Sequence, residues 1–121
     1  MIKYHDTLND TLIAELLPGS DMITTPQEML EIMAEMGYNG CSGMIILRDL
    51  LHPDFFDLKT GLAGEILQKF SNYRMRLAVV GDFSALSSKS LGDFIRESNK
   101  FGTISFVDTI ENALDRLSII K

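Results

Sequence analysis

Hydrophobic positions alternate along this chain between two periods, and the most informative stretch runs from Phe55 to Tyr73. Leu62, Ile66 and Phe70 recur at i, i+4 and i+8, with Ala63, Leu67 and Tyr73 widening the stripe, which predicts a helix with one face on a core. Its other face carries Lys59, Thr60, Glu65, Gln68, Lys69 and Asn72. The spacings Glu65–Lys69 and Gln68–Asn72 set these side chains beside one another, so the polar face supports its own helix as well as offering a surface.

Upstream, Ile2–Tyr4 and Thr11–Leu17 predict a strand pair with Asn9-Asp10 as its turn, closed by Pro18-Gly19-Ser20. Thr25-Pro26-Gln27-Glu28 is a helix start: Thr25 caps, Pro26 takes the first helical position, and Glu28 reaches back to complete a capping box. This helix should run to about Met36 and stop at Gly37, with Met29, Leu30, Ile32, Met33 and Met36 as its apolar positions. Its methionines read as adaptable core filling before they read as a plastic binding groove. Tyr38–Gly43 is a loop by composition, and Met44–Leu47 is a short strand buried on both faces, carried by Leu50–Asp54 to the central helix.

Downstream, Arg76–Val80 is the next buried strand, ended by Gly81-Asp82. Ser87-Ser88-Lys89-Ser90 offers N-caps for a helix with Leu91, Phe94, Ile95 and Ser98 on one face, ending before Gly102. Thr103–Val107 is the last strand, and Asp108-Thr109-Ile110-Glu111 is a second capping box that opens a terminal helix with Ala113, Leu114 and Leu117 inward. After the first hairpin, helices and strands alternate, which implies a sheet with a parallel portion covered by helices. There is no internal repeat, low-complexity segment or linker.

Composition narrows the class. At 121 residues the chain is one domain, 1–121, and its 45% hydrophobic content is enough for a core and argues against disorder. A net charge of −6 opposes nucleic-acid binding, leaving only a small basic patch around Lys69, Arg74 and Arg76. Cys41 is the only cysteine, which excludes an internal disulfide and a Cys-based metal site and fits a reducing cytoplasm. The first seventeen residues are broken by Asp6, Asn9, Asp10 and Glu15, unlike a signal peptide, and no apolar run is long enough to cross a bilayer. The expectation is a cytoplasmic protein with no membrane or nucleic-acid partner.

Candidate chemistry gathers at strand ends. Asp49 and Asp82 follow buried strands, and His52, Asp54 and Asp57 follow the first of them; such carboxylates could hold Mg²⁺ or act as acid and base, and equally could cap turns. Asp49, Asp57 and Asp82 form the alternative carboxylate site, for a small-molecule- or Mg-binding enzyme. No metal-ligand pattern or phosphate-binding glycine loop accompanies them, so no cofactor and no metal site are expected. His5 and His52 are not at metal-ligand spacing, and Ser84, Ser87, Ser88 and Ser90 lack a nucleophile elbow. Lys59-Thr60-Gly61 imitates the tail of a phosphate loop, but its order is reversed and the upstream glycine is missing. Gly61 and Gly64 leave a smooth patch suited to close packing or close approach by a partner.

Several runs carry a resemblance. Asp54–Phe70 with Asn72-Tyr73, Ala78–Phe83 and Ser90–Asn99 resemble the bacterial domain-of-unknown-function family numbered 4180, over most of the chain. The layout is also similar to the anti-sigma-factor antagonist (STAS) fold and its stage-II-sporulation relatives, in which a strand leads into Asp-Ser-Ser-Gly-Leu-Gly and the second serine is a phosphorylation switch. Here Asp57-Leu58-Lys59-Thr60-Gly61-Leu62-Ala63-Gly64 is similar, with one residue inserted and Thr60 in the place of that serine. Phe101–Leu114 resembles the closing strand, turn and helix. The resemblance implies an α/β fold: a single compact domain with a STAS-like mixed sheet of about 4–5 strands covered by about 4 helices.

It further implies a non-enzymatic protein-interaction or regulatory module that docks an unidentified protein partner through the 57–73 loop and helix, with Lys59, Thr60, Glu65, Gln68 and Lys69 in contact and Thr60 a possible phosphosite. Arg96, Glu97 and Asn99 lie in the other family-like run. The exposed edge of the first hairpin invites homodimerisation.

Overall fold

The continuous apolar runs become strands buried on both faces, the first strand, Ile2–Asp6, is mostly exposed, and the order in which the strands pair then positions the loops. The computed structural model describes residues 2–6, 12–85 and 88–118. Strand β1 (Ile2–Asp6) pairs antiparallel with β2 (Leu12–Leu16), Ile2 opposite Leu16 and Asp6 opposite Leu12. The expected Asn9-Asp10 turn lies outside the described residues. Strands β3 (Cys41–Leu47), β4 (Arg76–Val80) and β5 (Ile104–Val107) add in parallel, giving a five-stranded mixed sheet in the order β1-β2-β3-β4-β5. All loops that follow β3, β4 and β5 therefore emerge at one edge.

Helices α1 (Pro26–Tyr38), α2 (Leu62–Asn72) and α3 (Lys89–Phe101) cover one face, and α4 (Ile110–Ser118) covers the other. The larger core joins Met29, Met33 and Met36 of α1 to Leu62, Ala63, Ile66 and Phe70 of α2 over Met44, Ile46, Leu77 and Val79. The smaller one packs Ala113 and Leu117 of α4 on Ile13, Ile45, Ala78 and Val80. Period two in the strands sends neighbouring residues to opposite cores, which is why these runs are continuously apolar.

Local signals set most helix ends. Thr25 Oγ1 accepts from Glu28 N (3.1 Å) while Glu28 Oε1 accepts from Thr25 N (3.1 Å), the reciprocal box expected. Glu28 Oε1 also accepts from the hydroxyl and N–H of Thr24, and these bonds hold its carboxyl below the usual value. Ser88 caps α3, and Gly102, at φ 95°, ends it.

Four boundaries differ from expectation. Helix α1 continues past Gly37 to Tyr38, and Gly40, at φ 89°, supplies the left-handed residue instead. Strand β3 starts at Cys41 within the expected loop, because Gly43 there is a strand glycine: a Cβ on it would lie 3.3 Å from Leu117 of α4. Thr109 rather than Asp108 caps α4, its hydroxyl accepting from Asn112 N (3.0 Å), while Asp108 accepts from the Asn112 side chain (2.6 Å). Finally, 55–60 is not helical in continuity with α2. Residues 48–60 form 3₁₀ turns, Arg48–Leu50, Pro53–Phe56 and Leu58–Thr60, and Tyr73 is 61% exposed rather than part of the buried stripe.

Candidate functional site

The chain leaving β3 is held by a bridge and by aromatic packing. Ile23 forms a parallel bridge with Leu51, donating from its N–H to Leu50 O (2.7 Å) and accepting from His52 N (2.9 Å). His52 turns the chain by accepting from Asp54 N at Nδ1 (3.0 Å). Phe55 is fully buried and meets Phe56 edge-on (5.0 Å between centroids). These anchors carry an exposed polar rim of Asp54, Asp57, Lys59 and Thr60.

Thr60 closes the rim. Its hydroxyl lies within donating distance of the carbonyls of Asp54 (2.7 Å) and Asp57 (2.9 Å) and accepts from Leu62 N (3.2 Å), the first residue of α2. The capping residue proper is Gly61, at φ 79°, a conformation that favours glycine. The Glu65 carboxylate folds back toward Gly61, where it complements the positive end of the helix dipole. Lys59, Thr60, Glu65 and Gln68 are exposed and Lys69 half-buried, and all five fall on one loop and the helix it enters. Gln68 donates to Asn72 Oδ1 (2.9 Å), so the four-residue spacing forms a bond within the helix itself.

The loop after β4 meets this rim through Arg48. Its guanidinium lies 5.5 Å from the Phe56 ring and 5.7 Å from the Phe83 ring and donates to the Asp82 carbonyl. Gly81 allows that approach, because a Cβ there would lie 2.7 Å from Arg48 Cβ. Asp82 Oδ1 accepts from Ser84 Oγ (2.6 Å) and Ser84 N (2.9 Å), bonds that hold its carboxyl below the usual range, with Arg48 adding a smaller attraction. Beyond lies an open cavity of about 860 Å³ with Phe83, Ile95 and Phe106 among its apolar lining and Asp82, Asp108 and Asp115 among its carboxylates.

Of the three carboxylates in the alternative site, only Asp82 lines that cavity. Asp57 accepts from Lys59 N (3.3 Å), and Asp49 is exposed in the first 3₁₀ turn. Among the described residues no three His, Cys, Asp or Glu side chains stand close enough to hold a metal ion. His5 pairs with Glu15 (2.8 Å) on the sheet, apart from His52 in its turn. Cys41 is buried at the start of β3, and burial pushes its thiol pKa up. In the other family-like run, Arg96 pairs with Asp93 (2.7 Å), while Asn99 binds the backbone of β5. Sequence reasoning did not single out Arg48, Gly81 or Phe83; an arginine after one parallel strand and a glycine after the next are ordinary until the two strands are known to be neighbours.

Fold and edge together define a small mixed α/β domain that presents a tied polar loop next to an aromatic-lined cavity. The chain matches the family described as Domain of unknown function (DUF4180) over residues 8–117 and belongs to that family. No curated protein matches it. Among the described residues, no helix is long and apolar enough to cross a membrane.

Proposed function

We propose that the domain is a non-enzymatic interaction and regulatory module that docks a protein partner through the loop and helix 57–73. The observation that supports this reading is the tied rim: Lys59 and Thr60 are exposed, yet Phe55 beneath them is fully buried and the Thr60 hydroxyl already bonds its own turn. A surface ordered before contact loses less conformational freedom on binding. Glu65, Gln68 and Lys69 extend the same surface along α2.

Thr60 is the switch in this reading. A phosphate on its oxygen would replace a donor with acceptors facing the Asp54 and Asp57 carbonyls, opening the turn, while the first N–H groups of α2 stabilise the new charge. The STAS-like order of elements, with this turn after the first long parallel strand, is the analogy behind the regulatory role. Homodimerisation through the outer edge of β1 is compatible with it, because among the described residues that edge faces no other strand.

The test is affinity capture from cell lysate, comparing wild type with a Lys59→Ala/Gln68→Ala double variant and with Thr60→Glu, after circular dichroism has shown that the variants fold. A stoichiometric protein lost with the double variant and altered by Thr60→Glu supports the reading. Equal recovery on all three baits would sink it. A second reading, a small-molecule- or Mg-binding enzyme using Asp49, Asp57 and Asp82, is favoured by the cavity beside Asp82. It predicts thermal stabilisation by Mg²⁺ that Asp82→Ala abolishes, and absence of any Mg²⁺ response would end it.

A further inference from the structure

Helix α2 ends differently from α1 and α3. Its last turn closes by Met75 N donating to Phe70 O (3.0 Å) and Arg74 N donating to Ser71 O (3.3 Å), a pattern that requires a left-handed backbone at position 74. Gly40 after α1 and Gly102 after α3 take that conformation at φ 89° and 95°. Here Arg74 takes it, at φ 54°, the one positive φ outside glycine among the described residues. A β-carbon makes this backbone costly, and the attraction of a cation to the carbonyl end of a helix offsets a comparable amount at most. Fold stability therefore gives no preference for arginine over glycine at position 74.

Arg74 lines an open cavity of about 640 Å³ at the edge where β3 and β4 begin, between α1 and the turn that leaves α2. Met33 and Met75 are buried beneath it, and Gly37 brings the backbone of α1 close: a Cβ there would lie 3.8 Å from Met75 Cε. Tyr73, 61% exposed, lines it too. Two charged residues share this lining, Glu31 from α1 and Arg74. They form no ion pair with each other, and among the described residues neither side chain has a hydrogen-bond or ion-pair partner. The cavity thus combines an apolar floor with one free carboxylate and one free guanidinium, charges that balance.

We propose that this cavity binds a short apolar zwitterion, a free aliphatic α-amino acid or a dipeptide of such residues, its carboxylate on Arg74, its ammonium on Glu31 and its side chains over Met33 and Met75. The paired donors of a guanidinium suit a carboxylate, and thioethers adapt to aliphatic groups of differing shape. A ligand with charge of one sign would meet one matching group and one opposing group, so the lining selects for both charges together. The cavity is of small-ligand size. It shares only Tyr73 with the 57–73 segment and does not depend on the docking reading.

The experiment is titration of the full chain with leucine and with leucyl-leucine at low salt, followed by amide chemical shifts. Leucyl-leucine acetylated at its amine and leucyl-leucine amide are titrated beside them. The expected result is saturable binding with shifts centred on residues 27–41 and 73–75, and the tighter of the two zwitterions tells amino acid from dipeptide. Its alanine counterpart should bind at least about tenfold more weakly. Neutralising either end of the dipeptide should weaken binding about fivefold. Arg74→Gly should leave the urea midpoint unchanged or raise it, yet bind leucyl-leucine and its amide alike. Glu31→Gln should bind leucyl-leucine and its acetylated form alike. A purely structural role for either residue would not produce these charge-matched losses. Should Arg74→Gly fail to fold, Glu31→Gln and the wild-type ligand contrasts decide the question alone. No saturable binding of either zwitterion, shifts elsewhere, or neutralised ligands binding as tightly as the zwitterion overturns the proposal.

Discussion

Substituting Gly81 with alanine tests the joint between the two loops at the carboxyl edge. The added methyl would sit 2.7 Å from Arg48 Cβ, 3.1 Å from Cδ and 3.5 Å from Cγ. The nearest of these is tied to the backbone, so swinging the arginine aside does not relieve the clash. Either the turn after β3 moves off the turn after β4, or both strain. Overpacking of this kind costs about 1–3 kcal/mol. Losing the stack on Phe56 and Phe83 adds about 0.5–1 kcal/mol for each half-exposed contact. Reduced freedom of the unfolded chain returns about 0.4–1 kcal/mol. The expected net loss is about 3 kcal/mol, measured as a lower urea midpoint at unchanged slope. The decisive comparison is with other residues at position 48. In an Arg48→Ala background the Cβ remains and Gly81→Ala should stay costly; in Arg48→Gly the substitution should become neutral or stabilising. An equal cost in all three backgrounds refutes the assigned contact.

Other perturbations have separate readouts. Asn99 Oδ1 accepts from Phe106 N (2.7 Å) and so covers the outer edge of β5; Asn99→Leu should cost about 1–3 kcal/mol and produce concentration-dependent association in analytical ultracentrifugation. Phe55→Ala, which empties a fully buried site under the 53–60 rim, should cost about 3–5 kcal/mol in urea unfolding. The Glu28 carboxyl is held below its ordinary value of 4.5, so its contribution is complete above that pH and is lost as pH falls through the depressed value. Glu28→Gln should therefore flatten the acid limb of the stability curve and leave the alkaline limb unchanged. For Cys41 the sign reverses: its raised pKa favours the fold below the ordinary value of 9.0, and that contribution is lost as pH rises through the raised value. Cys41→Ala should flatten the alkaline limb.

Short-range rules account for what the residues declared by themselves. Thr25 and Glu28 are three apart, Ser88 precedes its helix directly, and Gly102 has the freedom that a left-handed cap requires, so each signal and its effect lie within one helical turn. Apolar runs such as Arg76–Val80 are similarly local, since a strand buried on both faces has few polar positions. The five residues of the proposed docking surface were legible as a polar helix face and its entry, but the 3₁₀ turns that carry Lys59 and Thr60 were not. Those turns depend on Ile23 bridging Leu51 and on Arg48 packing against both Phe56 and Phe83, contacts that join separate loops of the chain. Gly43 read as a loop residue because the need for a bare backbone arises from Leu117, on a helix at the other end of the sequence. The same holds for the requirement of glycine at position 81. Period and capping determine which segments are helices and strands, because those interactions act over a few residues; which side chains share a site was decided by strand order and register, which only long-range packing fixes.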